Sequence, residues 1–161
     1  MPLRVDRSGP AAERQIRNGW HSVREGNLTS VPSASWTGSA GPETVAVLRE
    51  TVAEFVVANG IAESHLTDIR LAVSEAVTNA VVHAFRDRTE PGTVTVSVTV
   101  DDDRLEVVVR DDGSGMAPRD DSPGLGLGLP LIRRVADGFD HREPPDGGSE
   151  LWMRFALRED A

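Results

Sequence analysis

From Gly92 onward the chain changes period. Val94, Val96, Val98 and Val100 alternate with Thr93, Thr95, Ser97 and Thr99, which in a strand sends every valine to one face and every hydroxyl to the other. A strand of this kind belongs to a sheet covered on one side only, as antiparallel sheets allow, and the cover has to come from helices. Asp101-Asp102-Asp103 is a turn into a second strand, Leu105 to Arg110, and the two make a hairpin. A last strand starts at about Glu150, where Leu151, Met153, Phe155 and Leu157 alternate with Trp152, Arg154, Ala156 and Arg158. Ser30 to Trp36 reads as a short strand, and Pro32 suits it to an edge.

Two helices precede the alternating segment. Gly41-Pro42-Glu43 opens the first, with proline in the first turn and an acid toward the positive end of the helix dipole. Val45, Leu48, Val52, Phe55 and Val56 form its apolar face, and Asn59-Gly60 stops it. Ser64 caps the second, which runs to about Phe85 before the polar turn RDRTEPG. Its stripe is Leu66, Ile69, Val73, Val77, Ala80, Val81, Ala84 and Phe85. Beside that stripe Glu75, Asn79 and His83 follow at i, i+4 and i+8, a polar seam on an otherwise packed helix. A carboxylate and a carboxamide oxygen held this way could serve as a base and a magnesium ligand; the alternative is a solvated helix face.

At 161 residues the chain suits one domain, placed at 30–158, with residues 1–29 as a polar tail or arm in which Trp20 stands out, either as a local packing anchor or as a residue that docks on this domain or on a partner. There is no cysteine, hence no disulfide, thiol nucleophile or thiolate metal site. All 17 basic residues are arginine. That excludes a P-loop lysine, a protein-kinase strand lysine and a Schiff base, so a nucleotide must be held some other way. A net charge of -9 argues against direct nucleic-acid binding. No apolar run approaches a membrane span or a secretory signal, so a cytoplasmic protein is expected.

The remaining segment, DDGSGMAPRDDSPGLGLGLPLIRRVADG, reads strand end, glycine turn, short loop, glycine-rich loop and helix, with Pro130 in the helix's first turn. Gly124, Gly126 and Gly128 let backbone N–H groups approach an anion at a helix start, although their spacing is neither a dinucleotide fingerprint nor a P-loop. Asp111, at a strand end beside glycines, could accept a hydrogen bond from an exocyclic amine such as that of adenine; the other reading is an Asp-Asp-Gly turn, for which Asp112 is the better candidate.

Taken in order, Glu75, Asn79, D-x-G-x-G at 111–115 and G-x-G-x-G at 124–128 resemble the histidine-kinase-like (GHKL, or Bergerat) ATPase superfamily over residues 36 to 157. More narrowly, SEAVTNAVVHA and the short inter-motif loop resemble the bacterial anti-sigma-factor serine/threonine kinases. The resemblance implies an α+β fold, a two-layer sandwich with helices on one face of a mixed, mostly antiparallel sheet. It implies ATP and Mg2+ as cofactors, Glu75 as general base, Asn79 as magnesium ligand, and Asp111 on adenine. Gly113, Gly115, Gly124, Gly126 and Gly128 would shape the pocket with Met116, Leu125, Leu127 and Leu129, and His83 would lie near it. The implied partners are a sigma factor and a small antagonist protein, with a homodimer possible and no membrane or direct nucleic-acid contact. Asp112 stands where many relatives have asparagine, and only Met116 to Pro123 separate the glycine motifs, a short acidic lid. A nucleotide-loaded switch without kinase activity is the competing function. A sensor histidine-kinase fragment fits less well, because nothing before Trp36 resembles a phosphoacceptor helical hairpin. Thr93, Thr95, Thr99 and Trp152 are expected on the helix-free face, where they would serve as a partner surface unless the tail covers it.

Overall fold

The computed structural model describes residues 4–6, 31–85, 88–113 and 128–158. In chain order these form β1 (Arg4–Asp6), β2 (Ser33–Ser39), α1 (Pro42–Ala58), α2 (Leu66–Asn79), β3 (Thr93–Asp101), β4 (Arg104–Asp111), α3 (Gly128–Val135), β5 (Gly138–Arg142) and β6 (Ser149–Ala156). A 3-10 turn at Glu63–His65 leads into α2, and a π-helical turn at Ala80–Ala84 follows it.

The strands form one sheet in the order β1-β2-β3-β4-β6-β5, with every pairing antiparallel. The expected mixed component is therefore absent among the described residues. The chain order explains why: β4 and β5 run the same way, but β6 lies between them and pairs antiparallel with both. Two helices return the chain from β2 to its neighbour β3, so that pair is antiparallel as well.

The alternation at 93–100 does what its period requires. Val94, Val96, Val98 and Val100 are buried with Leu105, Val107 and Val109 of β4 and Leu151, Met153 and Phe155 of β6. Each fully buried valine or leucine stabilises the fold by roughly 1.5–3 kcal/mol. Against this face lie Leu48, Val52 and Val56 of α1 and Ile69, Val73 and Val77 of α2, while Trp36 meets Phe55 edge to face at 5.6 Å. On the other face hydroxyl pairs join Ser35 to Ser97 at 3.0 Å and Thr37 to Thr95 at 2.8 Å. Trp152 stands half-buried there, with the Arg142 guanidinium over its ring at 4.2 Å.

Four details depart from the sequence reading. The strand expected at 30–36 lies at Ser33–Ser39, and β1 covers it, so it is not an edge. Part of the predicted arm, Arg4–Asp6, thus belongs to the sheet; Trp20 lies outside the described residues. Ser64 does not cap α2, because it falls within the 3-10 turn and His65 occupies the cap position without a side-chain bond. β5 was not anticipated: GFDHR is too short and polar to show a period. Among the described residues no helix is long and apolar enough to cross a membrane.

Candidate functional site

The site is built where β4, β6 and the end of α2 meet. Asp111 is the last residue of β4 and is 3% exposed. Its register partners are Val94 and Ser149, and its Oδ1 accepts the Gly113 N–H at 3.0 Å. Burial pushes the Asp111 carboxyl above the ordinary aspartate value. The Gly113 bond opposes that rise, the neighbouring Asp112 charge adds to it, and His141 and Arg110 pull the other way. A buried carboxyl of this kind is an energetic cost that a hydrogen-bond-donating ligand would relieve.

Asp112 is the turn residue, as expected. Its carboxylate accepts the Thr93 N–H at 2.8 Å and the Thr93 hydroxyl at 2.9 Å, tying the end of β4 to the start of β3. Arg88 donates to the Asp112 carbonyl at 3.0 Å and lies over the Phe85 ring. Phe85 in turn packs where Gly92 has no side chain; a Cβ there would stand 1.7 Å from its ring. The chain following α2 is thereby fastened beside the Asp111 end of the sheet.

On α2, Asn79 is 3% exposed and its Nδ2 has no hydrogen-bond partner, whereas Glu75, one turn earlier, is half-buried. A solvated helix face would not bury a carboxamide, so the seam is not one. The helix widens to π spacing directly after Asn79, a local form frequent at functional sites. The i+4 spacing that aligned His83 with Glu75 and Asn79 assumed an unbroken α-helix, and it ends at Ala80. A buried carboxamide whose Nδ2 is unpaired can turn its oxygen toward a cation by rotating about its last bond. No cluster of three or more carboxylate or imidazole ligands exists among the described residues. Magnesium needs none, because it keeps water and phosphate oxygens and takes only one or two protein ligands. The donor set fits it.

Gly128 opens α3 and Leu129 is half-buried against the core. Gly115, Met116, Gly124, Leu125, Gly126 and Leu127 lie outside the described residues; of the predicted set the structure describes Glu75, Asn79, Asp111, Gly113 and the start of α3, and α2 packs against both β4 and α3. Two residues were missed. Gly148, at φ +80°, lets its backbone approach so closely that a Cβ would stand 2.1 Å from the Asp111 carbonyl oxygen. Ser149, 1% exposed, lies opposite Asp111. Two consecutive glycines before the last strand were the available signal.

Comparison with known proteins shows the family of the chain and its fold. Residues 38–155 match the family model of the histidine kinase-like ATPase domain. The chain is 39% identical over 135 residues to a serine-protein kinase RsbW of Bacillus licheniformis, covering 74% of this chain and 83% of that one. It is 30% identical to an anti-sigma F factor of Bacillus subtilis over 124 residues, 70% of this chain and 84% of the relative. Among solved structures, the RsbU and RsbW domains of Rv1364c from Mycobacterium tuberculosis share its fold, with a TM-score of 0.63 at 22% identity. The match covers 81% of this chain and 34% of that longer one.

Proposed function

Because the chain belongs to the histidine kinase-like ATPase domain family, we propose that it is a cytoplasmic serine/threonine protein kinase that binds ATP at the Asp111 end of the sheet. The observation that carries the binding site is the buried Asp111 carboxyl, held at a strand end by Gly113 and lifted in pKa by its surroundings. An adenine amine donating to that carboxylate would offset the cost of burying it. The phosphate chain would extend toward Asn79 and the start of α3, where unpaired backbone N–H groups favour anions. Glu75 would receive the proton of the attacking hydroxyl. Magnesium held by the Asn79 carboxamide oxygen would supply charge neutralisation for the transferring phosphoryl group.

The names of the relatives, a serine-protein kinase and an anti-sigma factor, support a chain that sequesters a sigma factor and phosphorylates a small antagonist protein. The test is phosphotransfer from labelled ATP to such an antagonist. Glu75→Ala should lower the rate by about 10²–10⁴-fold while nucleotide binding is largely kept; an unchanged rate would remove Glu75 from the mechanism.

A further inference from the structure

The Asp111 pole contains one interaction that the phosphotransfer reading leaves unused. His141, near the end of β5, brings its Nε2 to 3.0 Å from the Oγ of buried Ser149. Ser149 pairs directly with Asp111 across the β4–β6 ladder. Residues opposite each other in an antiparallel pair share a face, with Cβ atoms about 4.5–5.5 Å apart, so the Ser149 and Asp111 side chains are neighbours on the helix-covered face.

We propose that His141 is a positioning residue that donates its Nε2–H to Ser149 Oγ and thereby aims the serine hydroxyl proton at the purine edge beside Asp111. The inference rests on the nucleotide reading above. A serine hydroxyl has one proton to give, so the protonation of its histidine neighbour decides where that proton goes. With a bare Nε2, the serine would donate to the histidine, and two acceptors would then face the ligand. With Nε2–H as donor, the carboxylate and hydroxyl present an acceptor and a donor side by side. That pair matches the adjacent amine and ring N1 of adenine, and it is the reverse of what the O6 and N1–H of hypoxanthine require.

The surroundings favour the second arrangement. Asp111 is the charged group that His141 faces from β4, and an Nε2–H chain ending near a carboxylate is electrostatically favoured. From α3, Arg133 is engaged over the Phe139 ring at 5.2 Å. Arg142 and Asp140 pair with each other at 2.8 Å and Arg110 pairs with Glu150 at 3.2 Å, all on the opposite face of the sheet.

The experiment is a calorimetric titration with ATP and with 1-deaza-ATP, which lacks the ring N1 acceptor, on wild type, His141→Leu, His141→Gln and Asp111→Ala. His141 is exposed on an edge strand, so its substitutions leave the fold in place. His141→Leu should weaken ATP binding about three- to tenfold, the worth of one hydrogen bond, and leave 1-deaza-ATP unaffected. His141→Gln, whose amide N–H replaces the imidazole donor, should restore ATP affinity. Equal losses for both ligands in His141→Leu, or no loss for ATP, would overturn the proposal. If Asp111→Ala binds ATP like wild type, the nucleotide reading falls and this inference with it. Loss in Asp111→Ala beside an unaffected His141→Leu overturns this inference alone.

Discussion

The two ends of β4 are built to different rules. At Arg104 the strand leaves a tight two-residue turn, and its polar groups are exposed and paired at the surface: Asp101 with Arg104 at 3.7 Å, Asp103 with Arg158 at 3.1 Å. At Asp111 the polar groups are buried: Asp111, Ser149 and Asn79 are each at most 3% exposed, and Gly148 is forced against the Asp111 backbone. A hollow lined by Pro32, Ile61, His65, Val100, Asp101 and Leu157 also lies at the Arg104 end, but none of its side chains is a buried polar group without a partner. The cost of burying polar groups, not the presence of a hollow, is what singles out the Asp111 end as the candidate site.

Glycine substitutions separate the two ends most sharply. Gly148→Ala places a methyl group against the Asp111 carbonyl at a positive φ, and should cost about 3 kcal/mol or more in denaturant unfolding. Gly60→Ala has the same φ of +80° at the other end but nothing within 4 Å of the new Cβ, so only the left-handed strain of about 1–2 kcal/mol applies. Equal costs would erase the contrast.

The next effect is on pH dependence. Asp111 is raised above its ordinary value of 3.8, so the folded protein binds this proton more tightly than the unfolded chain. Its contribution to stability is fully present below 3.8 and is lost as pH rises through the raised folded value. Melting of wild type against Asp111→Asn across this range should show the variant's advantage growing with pH. If ATP binds through the Asp111 carboxylate as proposed, its affinity should weaken as pH falls through the same raised value. The smallest effect belongs to the exposed end, where Arg158→Ala should change unfolding free energy by no more than about 0.5 kcal/mol.

Periodicity disclosed most of the architecture because burial on one side leaves a direct trace in side-chain chemistry, as in Val94 to Val100 and in α1. It failed where the backbone departs from regular geometry. The π turn after Asn79 has no residue signature that the i+4 pattern could detect, and β5 is five residues with one large apolar side chain. Among the candidate site residues, Asp111, Asn79 and Glu75 stood out because a polar residue beside an apolar stripe or a glycine turn is conspicuous, and the structure buries the first two. Ser149 and His141 were not, since their meaning comes from strand register: only the pairing of β4 with β6 sets Ser149 opposite Asp111.

The central claim, that the buried polar end of β4 is the nucleotide site, is tested most directly by Asp111→Asn at neutral pH, measuring thermal stability and ATP affinity on the same preparation. The substitution keeps the shape and an oxygen for the Gly113 N–H while removing the buried charge. The account expects a protein that melts higher than wild type and no longer binds ATP. A variant that melts lower and binds ATP as wild type does would contradict it.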